Sequence, residues 1–302
     1  MLRKTYRWVF HILPWLRHLQ IKDINLIYMA GSYKLDKMQA LSMSILYFSL
    51  GDIQYTDERG DDLPLDHNPN EWAMDFAYSR KLSDVFALGI SGRFIYSNLL
   101  GSIDESKPGI AAAADISGMY QKSISNIGDI SWGFNISNIG SKISYQDGGE
   151  KDFIPTNLRL GGGYNFNLNE YNKLGIYVDY NKLLVPTEDS SSSVSTVAGV
   201  FTSFSDAPGG FKEEIHEIIA SVGVEYWYDN QFAIRGGYFY EHETKGNRKY
   251  FSLGVGLKLN VFGLDVSYLV ANGNSPLANT LRFSLSFDFE GLKAENKAAE
   301  NI

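Results

Sequence analysis

From Leu281 to Phe289 the chain reads Leu-Arg-Phe-Ser-Leu-Ser-Phe-Asp-Phe, a large apolar residue at every second position. Successive side chains of a strand point to opposite faces, so this segment sorts an apolar face from a polar one. Closing strands of outer-membrane barrels have this form, apolar toward lipid and polar toward the lumen, with aromatic rings at the ends. The pattern predicts an all-β fold, an antiparallel transmembrane β-barrel.

Composition agrees. Aromatics make up 14% of the 302 residues, and the chain holds 29 Gly and no Cys. A membrane-spanning helix needs about 20 consecutive apolar residues, and no such run exists. Without Cys there is no disulfide framework and no thiolate metal site. A net charge of −8 and a pI near 5.2 argue against nucleic acid, which demands a basic surface.

Thirteen segments of roughly ten residues follow the alternation, the length of a tilted crossing. They lie near residues 24–33, 39–50, 71–80, 86–97, 110–122, 129–138, 156–166, 173–182, 218–228, 232–242, 248–259, 262–270 and 280–289. Short connectors such as Leu35-Asp-Lys37, Leu82-Ser-Asp84 and Asp229-Asn230 alternate with long ones at 51–70, 98–109, 139–155 and 183–217. Barrels place short turns in the periplasm and long loops outside the cell. A soluble β-sandwich also alternates, but it would need a large apolar core that the small residues of the inward phase cannot fill.

Facing follows from phase. Phe251, Leu253, Val255, Leu257 and Leu259 are expected to meet lipid, with Ser252, Gly254, Gly256 and Lys258 inside. A cation on the lipid face at the bilayer midplane costs about 2 to 4 kcal/mol, and Arg93, Arg159, Arg235 and Arg282 all fall in the inward phase.

Single-chain bacterial barrels have an even number of strands, so thirteen leaves one unaccounted for. Residues 1–22 are basic and aromatic, with apolar runs broken by Arg7, His11 and Pro14, and do not form a secretory signal. They are read as an atypical N-terminal segment, the remnant of a truncated upstream region that held the missing strand. Residues 23–289 are the expected barrel, and residues 290–302 a charged tail.

Several stretches carry a family resemblance: Pro14-Trp-Leu-Arg17, Asp23-Ile-Asn-Leu26, Tyr47-Phe-Ser-Leu-Gly51, Ser203-Phe-Ser-Asp-Ala-Pro-Gly-Gly-Phe211, Glu225-Tyr-Trp-Tyr228, Lys245-Gly-Asn-Arg248, Asn260-Val-Phe-Gly-Leu264 and Pro276-Leu-Ala-Asn-Thr-Leu-Arg-Phe283. Together they resemble the PorV family, outer-membrane components of the type IX secretion system of Bacteroidota. Asp206-Ala-Pro-Gly-Gly210 is the most specific piece. The resemblance implies a fourteen-stranded barrel similar to the long-chain fatty acid transporters. It implies a non-enzymatic carrier that binds the C-terminal signal domain of cargo leaving the translocon barrel and delivers it to a sortase-like attachment complex at the cell surface. Its remaining partner would be outer-membrane lipid, and no cofactor is implied.

The residues hold no competing chemistry. His11, His18, His67, His216 and His242 share no short ligand spacing, whereas zinc needs three or four converging ligands. Asp57-Glu-Arg-Gly-Asp-Asp62 is acidic but lacks the spacing of a calcium loop. Gly161-Gly-Gly163 precedes a strand end rather than the helix an anion site requires.

The connection from Leu183 to Glu217 is the most functional in character. It carries a serine run, Ser190 to Ser193, then Val197, Val200, Phe201, Phe204 and Phe211 around the Asp206 to Gly210 motif. Val197, Val200, Phe201 and Phe204 have the spacing of one helix face, and large apolar side chains on an exposed loop mark a docking surface. Phe201, Phe204, Asp206, Pro208 and Phe211 are the candidate partner-binding residues. The plainer alternative is that the rings pack the loop onto the barrel mouth. A different function also stays open, transport of a hydrophobic small molecule past inward-facing Tyr177, Phe239 and Tyr250.

Overall fold

Strand alternation propagates around the whole chain and closes on itself. The computed structural model describes residues 5–17, 21, 23–101, 106–187, 194–271 and 278–289. The serine run Ser190 to Ser193, His18, Pro276 and the tail from Glu290 to Ile302 lie outside the described residues. Sixteen strands appear in chain order, beginning with β1 (Thr5–Pro14), β2 (Ile24–Lys34), β3 (Gln39–Leu50), β4 (Ile53–Thr56), β5 (Asp62–His67) and β6 (Asn70–Lys81). Next come β7 (Phe86–Asn98), β8 (Gly109–Ile124), β9 (Gly128–Gly140), β10 (Asn157–Asn167) and β11 (Asn172–Leu183). After helices α1 (Thr196–Thr202) and α2 (Phe211–His216), the chain ends with β12 (Ile219–Tyr228), β13 (Phe232–Tyr240), β14 (Lys249–Leu259), β15 (Phe262–Ala271) and β16 (Thr280–Asp288).

Fourteen of these strands form one closed antiparallel barrel, and β4 and β5 make a separate hairpin within the connector after β3. The thirteen segments read from the sequence reappear with ends shifted by at most two residues. The count of thirteen is corrected by β1, which pairs with β16 on one side and β2 on the other. The strand taken as lost upstream is therefore Thr5–Pro14, and the barrel begins within the segment set aside as atypical rather than at residue 23. The cause is physical: Arg7 and His11 break a continuous apolar run but do not break an alternating one. Tyr6, Trp8, Phe10 and Ile12 face outward and exposed, while Arg7 turns to Asp288 and His11 to Ser284.

Both ends of the barrel, Thr5 and Asp288, lie at the rim of the short turns. Those turns are built from residues that tolerate left-handed backbone. Asp229 and Asn230 have φ of 52° and 51°, the geometry of a two-residue hairpin turn whose twist matches that of its strands. Asp36 holds another turn by accepting the backbone N–H groups of Met38 and Gln39 at 2.7 and 2.8 Å.

The outer wall is the apolar set. Phe251, Leu253, Val255, Leu257 and Leu259 are all exposed. Inside, Arg93 is held by Asp75 at 2.5 Å and Asp115 at 2.9 Å, and Arg235 by Glu225 and Asp265. Arg159 reaches Asn181 at 2.8 Å, and Arg282 lines a lumenal cavity. The cations thus sit where the lipid-face penalty is avoided.

One irregularity shapes the mouth. Between β8 and β9 the register shifts, Ala114 facing Ile139 but Ile116 facing Ile136, which leaves one extra residue on β9. Such a bulge bends its strand and re-aims side chains. Asn138, at φ 61°, donates its N–H to Asp115 at 2.9 Å and accepts a hydrogen bond from Arg93 on its side-chain oxygen. It also donates to the Pro155 carbonyl at 3.0 Å and accepts from Thr156 Oγ1 at 2.7 Å. This clamp folds loop 141–156 into the lumen, where Ile143 and Ile154 bury against Ala111.

Candidate functional site

The connector between β11 and β12 carries the candidate residues, and its underside is polar. Register pairs Lys182 with Leu158 and puts it in the same phase as exposed Val178 and Tyr180, so its phase is that of the outer wall. Lys182 is nevertheless buried. Helix α2 lies over it, and its Nζ contacts Glu214 at 2.8 Å and Glu217 at 2.6 Å. Glu217 continues to Lys245 at 3.0 Å, which meets Glu213 at 2.6 Å. Five charged side chains thus tie the top of β11, α2 and the 241–248 connector together.

The protonation preferences of the loop groups follow from these contacts. The Lys245 ammonium and the Gly209 N–H hold the Glu213 carboxyl below its ordinary value. Burial alone would raise Glu214, but Lys182 and the Ala207 N–H outweigh it and bring it down. Glu241, gripped by Arg248 at 2.7 Å through both oxygens, is also lowered, and Lys245 is raised by Glu213. The His216 and His242 rings stack at 3.6 Å beside the network.

The Asp206 to Gly210 motif builds the turn into α2. Asp206 accepts the Thr187 N–H at 2.9 Å and its hydroxyl at 3.3 Å. Ala207 is buried with its N–H on Glu214, and Pro208 is exposed. Gly210 adopts φ 66° at the start of α2, a conformation at which a side chain costs energy.

The rings go the other way. Phe201 is 72% exposed, Phe211 80% and Phe204 49%, with Val197 and Ile215 also exposed. The helix expected from the spacing is α1, capped by the Ser195 hydroxyl on the Ala198 N–H; it carries Val197, Val200 and Phe201, and Phe204 lies beyond its end. Phe201 and Phe211 are largely exposed and Phe204 about half exposed, while the ion network ties the underside of the loop to β11. The sequence reading missed this network, although Lys182 in the lipid-facing phase of a strand was a signal that carboxylates must cover it.

A second site lies in the lumen beneath loop 141–156, a cavity of about 850 Å³ with Asp75, Arg93 and Asp115 in its wall. Tyr177, Phe239 and Tyr250 line another of about 450 Å³, the last two stacked at 4.8 Å. Among the described residues no group of three or more His, Asp or Glu side chains converges as a metal site would, and no helix is long and apolar enough to cross a membrane.

A closed fourteen-stranded antiparallel wall, apolar outside and charged inside, defines an outer-membrane β-barrel protein. Solved structures share this fold. A TodX monoaromatic hydrocarbon channel mutant aligns with a TM-score of 0.52 at 10% identity over 94% of this chain and 90% of its own. The toluene transporter TodX of P. putida gives 0.51 at 9% identity over 95% and 90%. Among curated proteins none matches the chain in sequence. The family described as "Type IX secretion system protein PorV" matches residues 9–190, more than half of the chain, and the chain belongs to that family. It is a type IX secretion component of the outer membrane, and family and fold together point to secretion or transport.

Proposed function

We propose that the chain is the secretion-system barrel that binds the C-terminal signal domain of cargo leaving the translocon and delivers it to the surface attachment complex. The observation that carries this reading is the exposed aromatic face of Phe201, Phe204 and Phe211 on a loop locked from below by buried ion pairs. Large apolar side chains held in water by a rigid support are the anatomy of a docking surface. The family match ends at residue 190, so the role of this loop rests on its own geometry. The translocon barrel is the partner proposed for it, because α2 covers the outer face of β11 and places the loop beside the barrel as well as above it. Cleavage and attachment of cargo fall to the sortase-like partner, and this chain acts as a carrier without covalent chemistry.

The test is the double substitution Phe201→Ser and Phe204→Ser. The proposal expects loss of translocon co-purification and accumulation of unprocessed cargo with the barrel intact. Normal association and release in that variant would refute it.

A second reading, transport of a hydrophobic small molecule, is favoured by the lumenal cavities and by the fold shared with a toluene transporter. Saturable flux of toluene into liposomes holding only this protein would support it, and its absence would remove it.

A further inference from the structure

The lumenal cavity under loop 141–156 is layered, and strand register gives the order of its layers. Leu26, Phe48, Glu71 and Ser97 stand side by side on β2, β3, β6 and β7. Two residues along each strand lie Tyr28, Leu46, Ala73 and Ile95, and two further lie Ala30, Ser44, Asp75 and Arg93. All twelve line the cavity. The four-residue span from the Glu71 layer to the Asp75 layer is about 14 Å at about 3.4 Å per residue. An apolar band therefore separates two polar ends, and Tyr145 and Ile154 of the folded-in loop cover the upper one.

The two ends differ in how their charges are paired. At the lower end Arg93 is engaged by Asp75, Asp115 and Asn138, which satisfies the guanidinium. At the upper end Glu71 accepts one hydrogen bond, from the buried Ser97 hydroxyl at 2.6 Å, and that hydroxyl also contacts Tyr145 at 2.9 Å. No cation pairs with Glu71 among the described residues. The wall holds four carboxylates, Glu71, Asp75, Asp115 and Asp152, against the single cation Arg93. Glu71 stands between Phe48 and Ser97 in its layer with no ion partner among the described residues, so a cation entering the cavity can pair with it. Aromatic faces there add attraction for a cation. The volume of about 850 Å³ is within the range of small-molecule sites, which are mostly apolar with a few convergent polar groups.

We infer that this cavity binds a small organic cation, a primary ammonium on an apolar body, with the ammonium on Glu71 and the body against Tyr28, Leu46 and Ile95. It selects against carboxylates, because the wall's excess charge is negative. The site is separate from the aromatic loop, and its success or failure leaves the secretion reading untouched.

The experiment uses the full chain in lipid nanodiscs and isothermal titration with three probes of one shape: 4-phenylbutylamine, 4-phenylbutanol and 4-phenylbutanoate. The amine should bind saturably, one per chain, at least tenfold tighter than the alcohol, and the carboxylate not at all. Glu71→Gln should lower the amine to the level of the alcohol. Ala73→Phe, which fills the apolar layer, should abolish both, with Ala30→Phe as the alternative filling variant if the first does not form a barrel. Heat-modifiable gel migration reports the fold of each. Equal binding of the carboxylate, amine binding that survives Glu71→Gln or the filling variant, or no saturable binding at all would overturn the inference.

Discussion

Two long connectors leave the same rim of this barrel and treat their apolar residues in opposite ways. Loop 141–156 turns inward, buries Ile143 and Ile154, and is clamped through the Asn138 bulge to Arg93 and Asp115. The connector between β11 and β12 turns outward, buries charged side chains over Lys182, and leaves Phe201, Phe204 and Phe211 exposed. The first arrangement is a roof over a cavity. The second is a platform, because its fold is secured by groups other than the ones it displays.

The contrast can be broken from either side. The largest effect is expected from Lys182→Met, which strands Glu214 in a buried position. Losing one member of a buried pair costs about 3 to 5 kcal/mol, so the platform should come loose and limited proteolysis should cut within 184–218 while the barrel resists. Next is Ile154→Ala, a buried truncation of about 2 to 4 kcal/mol. It should loosen the roof and raise single-channel conductance in planar bilayers, with no change in proteolysis of the platform. Phe201→Ser alone should change stability by no more than about 0.5 kcal/mol, as for other exposed sites, while lowering co-purification with the secretion partners.

The smallest effect is that of pH. Glu213, Glu214 and Glu241 are all lowered, so their contribution is full above the ordinary glutamate value of about 4.3 and fades as pH falls through the lowered values. Lys245 is raised, so its share is full below about 10.4 and fades only above its raised value. Protease resistance of the platform should be flat from about pH 5 to about pH 9 and decline below about pH 4.

Much of this molecule was legible because a barrel wall repeats one rule. Alternation alone placed thirteen strands and put Arg93 and Arg235 inside. It failed at β1 only where Arg7 and His11 were judged as interruptions of a run instead of members of the inward phase. The loops obey no such rule. The helical face of Val197 and Phe201 could be read from spacing, but the partners of Lys182 come from α2 and from residue 245, distant in sequence and joined only when the chain folds. The β4 and β5 hairpin was likewise passed over, since its alternation is short and crossed by Pro64. The layers around Glu71 needed the registers of four strands at once, and no single segment contains them.

The most direct measurement of the central claim places a photo-crosslinking residue at position 201 in one variant and at position 154 in another, in cells that run the full secretion system. The account predicts that position 201 joins the chain to a large outer-membrane protein of that system and that position 154 forms no such adduct. Equal partner labelling from the buried roof, or none but lipid from position 201, would contradict it.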